Sequence, residues 1–119
     1  MHIATLLLDD DRSFDDGRPC FVARTAEDAQ SVFLDKDGNT RTDVRVDELW
    51  LDFVLRVGSG ADFAQFAARN ARAGTPLDIG VVNIHSSSFM GAALMEGILL
   101  SAGYKVYRAD LGSGTPLIR

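Results

Sequence analysis

The chain has 119 residues, 46% of them hydrophobic, and a formal net charge of −5. That length suits one compact domain and excludes two ordinary ones, and the apolar share excludes a disordered protein. Basic residues are scattered singly, which excludes a polynucleotide-coating role, and no apolar run reaches the ~18 residues a membrane span needs.

Taken in order, Ile3–Leu8 reads as an apolar strand running into Asp9-Asp10-Asp11. The stretch from Asp11 to Pro19 holds Gly17 and reads as a loop, and Phe21-Val22-Ala23 reads as a second short strand. Thr25 is placed to cap a helix with Glu27 and Asp28 in its first turn, where acids suit the helix dipole. Ala26, Ala29, Val32 and Phe33 fall on its inner face. Residues 35–48 are charged and lack a helical stripe, and Asp37-Gly38 is a turn signal, so this stretch is either a hairpin or a loop. Its acid spacing departs from a calcium loop, because the glycine stands at the fourth position and Val46 occupies the place of the bidentate glutamate.

Leu49-Trp50-Leu51 reads as a strand that ends on Asp52, with Trp50 in the core. A helix follows from Ser59, with Phe63, Phe66, Ala67 and Ala71 inward and Gly74 as terminator. Asp78–Ile84 is nearly continuous in apolar residues, as expected of a buried parallel strand. After His85-Ser86-Ser87-Ser88 a third helix is expected, with Met90, Ala93, Leu94, Gly97 and Ile98 inward, Phe89 mainly in packing and Gly103 at its end. Tyr104–Tyr107 reads as the last strand, residues 1–110 as one domain, and 111–119 as a C-terminal tail. His2 is expected to be a disordered terminal residue, and Cys20 an inert packing residue. The opening Met-His-Ile-Ala-Thr lacks the basic start of a secretory leader, so a cytoplasmic location is expected.

Strands alternating with helices imply a parallel sheet with right-handed crossovers. In such sheets ligands bind outside the carboxyl ends of the strands. Two of these strands end in aspartate, and buried carboxylates must pair, hold a cation or face solvent. Asp9, Asp10 and Asp52 are therefore the candidate metal ligands, and oxygen donors of this kind suit Mg²⁺. Arg12, Ser86, Ser87 and Arg108 are candidate phosphate-binding residues: two guanidinium groups for bidentate pairing and a helix start with free N–H groups. Asp52 and His85 are the candidate catalytic residues, His85 for proton transfer near neutral pH.

This arrangement resembles a response-regulator receiver domain over about residues 3–109. That resemblance implies a flavodoxin-like three-layer α/β fold with a five-stranded, mostly parallel sheet in the order 2-1-3-4-5. Asp9, Asp10, Asp52 and Ser86 stand at receiver positions, whereas the usual first and last helices are missing and Lys105 lies at the wrong end of its strand. The chain is more specifically similar to the cyclic-phosphate processing receiver domains. That family shows Leu-Asp-Asp-x-Arg, Val-x-Thr-Ala, Leu-Asp-His-Asp-Leu and Val-His-Ser motifs. The counterparts here are Leu8-Asp9-Asp10-Asp11-Arg12, Val22-Ala23-Arg24-Thr25-Ala26, Leu51-Asp52-Phe53-Val54-Leu55 and Ile84-His85-Ser86, with Phe53 and Val54 replacing a histidine and an acid. The resemblance implies a phosphorylated small ligand or an RNA end as partner, and metal-assisted cyclic phosphodiester hydrolysis in RNA repair as the activity. Loss of the family's His and Asp leaves two alternatives, a pseudo-receiver or a module that works through a protein partner.

Overall fold

The computed structural model describes residues 1–109 and 116–118. Its main sheet has five strands: β1 (His2–Leu8), β3 (Phe21–Ala23), β4 (Arg45–Leu51), β5 (Asp78–Ile84) and β6 (Val106–Arg108). They lie in the order β3-β1-β4-β5-β6, which is 2-1-3-4-5 when only this sheet is counted, and every pairing is parallel. Helices α1 (Ala26–Ser31), α2 (Gly60–Arg72) and α3 (Phe89–Ser101) form the crossovers. Among the described residues no helix stands where a receiver has its first or last one, and none is long and apolar enough to cross a membrane.

Local chemistry explains each helix start. The Thr25 hydroxyl accepts from the Asp28 N–H at the head of α1. Ser59 and Asp62 form a reciprocal capping box at α2. The Ser88 hydroxyl accepts from the Gly91 N–H at α3. Gly74 closes α2 at φ +85°, a left-handed conformation that glycine adopts without steric penalty. Residues 35–41 form a loop held by one antiparallel bridge between Leu34 and Thr40. In it the Asp35 carboxylate accepts from the N–H groups of Asp37 and Asn39, so the acid spacing there serves a turn.

The larger core lies between the sheet and the helices. Leu6, Leu8, Leu49, Leu51, Val82 and Ile84 from the strands meet Ala29, Phe63, Phe66, Ala67, Met95 and Leu99 from the helices. A smaller cluster joins Leu7, Trp50 and Leu117, with Phe14, Cys20 and Ala109 against it.

Several expectations are corrected. Strand β4 begins at Arg45, four residues before the apolar Leu49. At its amino end only Val46 is buried in the core, and the flanking Arg45 forms surface ion pairs with Asp47 and Asp78. His2 is part of β1, and its Nε2 lies 2.7 Å from an Asp47 carboxylate oxygen. Helix α3 buries Gly91, Ala92, Met95 and Leu99, a face different from the one expected. Met90 is 81% exposed and Leu94 points outward with it, because a helix apolar all round offers no contrast from which to read its inner face. Two further strands, β2 (Ser13–Phe14) within the expected loop and β7 (Leu117–Ile118) within the expected tail, pair antiparallel. Leu117 thereby covers Trp50, whose ring meets Phe14 edge to face at 5.3 Å. Residue 110 of the expected domain and residues 111–115 and 119 of the expected tail lie outside the described residues.

Candidate functional site

Parallel register brings the site together. Leu8, Leu51 and Ile84 are direct partners across β1, β4 and β5. The ladder runs one residue further: the Asp52 N–H donates to the Leu8 carbonyl and the His85 N–H to the Leu51 carbonyl, each at 3.0 Å. The Asp9 N–H donates to Ala23 at 3.1 Å. Asp9, Asp52 and His85 thus form a row at the carboxyl edge, and one donor atom from each lies within 4.8 Å of the others.

Asp9 is the most tightly held member. Its Oδ1 accepts from the backbone N–H groups of Asp11 at 2.8 Å and Arg12 at 2.6 Å. Its Oδ2 lies 3.0 Å from His85 Nε2 and 3.7 Å from Arg12 Nη1. Burial pushes this carboxyl upward, but the hydrogen bonds from His85, Arg12 and Asp11 outweigh it and hold Asp9 at about 2. At neutral pH Asp9 is therefore ionised, and His85 Nε2 carries the proton and donates it. Arg24 fixes the loop that presents these groups, its Nη1 donating to the carbonyls of Asp9 and Arg12.

Asp52 is the opposite case. It is 6% exposed and accepts one long bond, from the Val54 N–H at 3.4 Å. Burial, reinforced by the nearby Asp9 charge, pushes its carboxyl above the ordinary range despite the opposing field of His85. A buried carboxylate with so little compensation fits a cation. The Nε2–H of His85 is spent on Asp9, and the carboxylate oxygens that border the cavity suit a hard ion such as Mg²⁺.

These groups border a cavity of about 190 Å³, lined by Asp9, Asp10, Asp11, Arg12, Asp52 and Ser87, with Val54 and Arg56 at its side. Asp10 faces it, but its Oδ2 already accepts from the Arg56 N–H at 2.8 Å, so it stands apart from the Asp9–Asp52–His85 group. Arg12 is largely buried, and its Nη1 has no hydrogen-bond acceptor among the described residues. His85 is fully buried and is not part of the cavity wall. It positions Asp9 through Nε2, and its Nδ1 has no hydrogen-bond partner among the described residues. Ser86 is diverted: its hydroxyl accepts from the Ser88 N–H at 3.1 Å, while Ser87 reaches the cavity. Arg108 lies outside, in a neighbouring groove, where it pairs with Glu96 at 3.2 Å. Lys105 precedes β6, three residues before Arg108, and its carbonyl accepts from the Val82 N–H.

Two features were not readable from the residues alone. Gly60 leaves no room for a side chain, since a Cβ there would lie 2.0 Å from the Asp52 carbonyl oxygen and 2.7 Å from the Met95 sulfur. Phe53 turns away from the cavity onto helix α3, where a Cβ at Gly91 would meet its ring at 2.3 Å. Val54 is thereby left on the cavity wall. Cys20 remains an ordinary thiol, its pKa raised by burial, which disfavours the reactive thiolate.

Comparison with family models matches residues 4–101 to one described as a cyclic-phosphate processing receiver domain. Curated proteins and solved structures return no match.

Proposed function

The chain belongs to the cyclic-phosphate processing receiver domain family, and from that membership and the site's geometry we propose that the acidic cavity binds the phosphate group of a phosphorylated ligand together with Mg²⁺. The observation that carries this reading is the pairing of two buried carboxylates, Asp9 and Asp52, with an Arg12 nitrogen that lacks an acceptor. A phosphate between them satisfies the guanidinium and completes the charge balance of the cation. Asp9 and Asp52 are the residues that would hold the ion. When bound, it supplies positive charge against phosphate oxygens.

The chain's own residues favour binding over turnover. Among the described residues no lysine lines the cavity to clamp a transferred phosphoryl group. His85 spends its Nε2 proton on Asp9 and orients that carboxylate, so it is a positioning residue in this reading. Phe53 is packed on α3 and offers no base. The proposed ligand is a cyclic phosphate, as at an RNA end awaiting repair, recognised in the cytoplasm. A second reading, an interaction module working through a protein partner, draws on the outward apolar side of α3, where Met90, Leu94 and Leu100 are exposed.

Thermal melts with Mg²⁺ and inorganic phosphate, on wild type and Asp52→Asn, separate the two. A ligand at a hundredfold excess over its Kd adds about 2.7 kcal/mol to the folded state. Wild type should melt higher with Mg²⁺ and higher again with phosphate, and Asp52→Asn should lose both responses. Identical midpoints throughout would overturn the phosphate reading and leave the interaction module.

A further inference from the structure

A second concavity, of about 390 Å³, adjoins the acidic cavity and differs from it in chemistry. Ile84, Ala92 and Ala109 supply an apolar lining, Phe89 and Arg108 stand on its sides, and among the described residues no carboxylate lines it. Ser87 borders both spaces, so they are neighbours across one residue. Phe89 sits in the first turn of α3, yet its side chain is 77% exposed. The Arg108 guanidinium carbon lies 5.2 Å from the Phe89 ring centroid, and its Nη2 donates to Glu96 at 3.2 Å. A planar cation is therefore held beside an exposed aromatic ring by a third residue, next to the place proposed for a phosphate.

We infer that this groove is a base subsite, in which the nucleobase of a nucleoside phosphate stacks on Phe89 and Arg108 while its phosphate occupies the acidic cavity. The inference rests on the phosphate-pocket reading and deepens it by naming the class of ligand and two residues that select it. Aromatic and guanidinium planes are the common partners of unstacked bases, and their stacking tolerates base identity. The apolar lining favours a flat, uncharged ring over a sugar or an additional phosphate.

Isothermal titration of the full chain in Mg²⁺ buffer tests this with inorganic phosphate, 2′,3′-cyclic AMP and a short single-stranded RNA ending in a 2′,3′-cyclic phosphate. The cyclic nucleotide should bind more tightly than inorganic phosphate. Phe89→Ala should weaken the nucleotide by about 5- to 150-fold, the usual range for one lost base stack. Phe89→Trp should retain it, and both variants should bind inorganic phosphate as wild type does. RNA binding at least as tight as the mononucleotide identifies an RNA end as the source, and tighter mononucleotide binding identifies a free nucleotide; either supports the subsite. Inorganic phosphate binding with a nucleotide affinity indifferent to Phe89→Ala overturns the subsite alone. Failure of every probe to bind wild type overturns the phosphate pocket with it.

Discussion

Replacing Asp9 by asparagine isolates the charge of the most tightly held carboxylate. The amide keeps the shape: its oxygen can still accept from the Asp11 and Arg12 N–H groups, and its NH₂ can donate to His85 once the imidazole changes tautomer. What disappears is the preference of this site for the ionised form. Asp9 sits at about 2 against an ordinary value of 3.8, and at 1.36 kcal/mol per decade the gap corresponds to about 2 kcal/mol. The folded-state pKa is depressed, so this stability is fully present above pH 3.8 and is lost as pH falls through 2. Urea unfolding of wild type and Asp9→Asn, in chelator and at steps from pH 6 to pH 2, measures it. Wild type should be more stable by up to about 2 kcal/mol at pH 6, and the difference should shrink below pH 4. Asp52 works in the opposite direction, its raised carboxyl being relieved as pH falls, and removal of the Asp9 charge lessens that strain in the variant. The pH-6 difference is therefore at most about 2 kcal/mol and widens slightly as Asp52 protonates, while its decline below pH 3.8 reports Asp9. A difference that stays flat from pH 6 to pH 2, or a variant more stable than wild type at pH 6, would refute the reasoning.

Two structural substitutions complete the set. Gly60→Ala forces a Cβ to within 2.0 Å of the Asp52 carbonyl oxygen, so it should destabilise by about 1–3 kcal/mol despite the better helix propensity of alanine. It should also blunt the Mg²⁺ response in thermal melts, and a stabilised variant with normal Mg²⁺ binding would show that the loop has slack. Leu117→Ala uncovers Trp50, the chain's one tryptophan. Its emission should shift to the red with a loss of about 2 kcal/mol, the low end for a buried leucine, and an unchanged spectrum would mean that β7 does not cover the ring.

The parts of the fold legible in the sequence were those with high apolar contrast. Strand β5 runs from Asp78 to Ile84 as its nearly continuous apolar pattern indicates. Strand β4 was readable only from Leu49, because a single buried apolar residue, Val46, stands among the charged Arg45, Asp47 and Glu48 at its start. Helix α3 was located correctly but rotated in the reading, since nothing polar marks its outer side. At the site, Asp9 and Asp52 were legible because carboxylates ending buried strands have few alternatives. Ser86 and Asp10 depend on where a loop turns, and each is diverted by a local hydrogen bond that composition does not reveal. The role of Gly60 arises from an approach between helix and loop and has no local signature.

The contact between Phe53 and Gly91 constrains the order in which this chain's sequence can have changed. A ring at 53 and a side chain at 91 exclude each other, because the two would meet at 2.3 Å. A mutational path to the present pair that starts from a side chain at 91 must empty that position before it seats the ring, or pass through an overpacked intermediate costing about 1–3 kcal/mol. With the ring seated, position 53 is committed to the interior and can no longer serve the cavity. Restoring an active-site group beside Asp52 is therefore simpler at Val54, which already lines the cavity, than at Phe53.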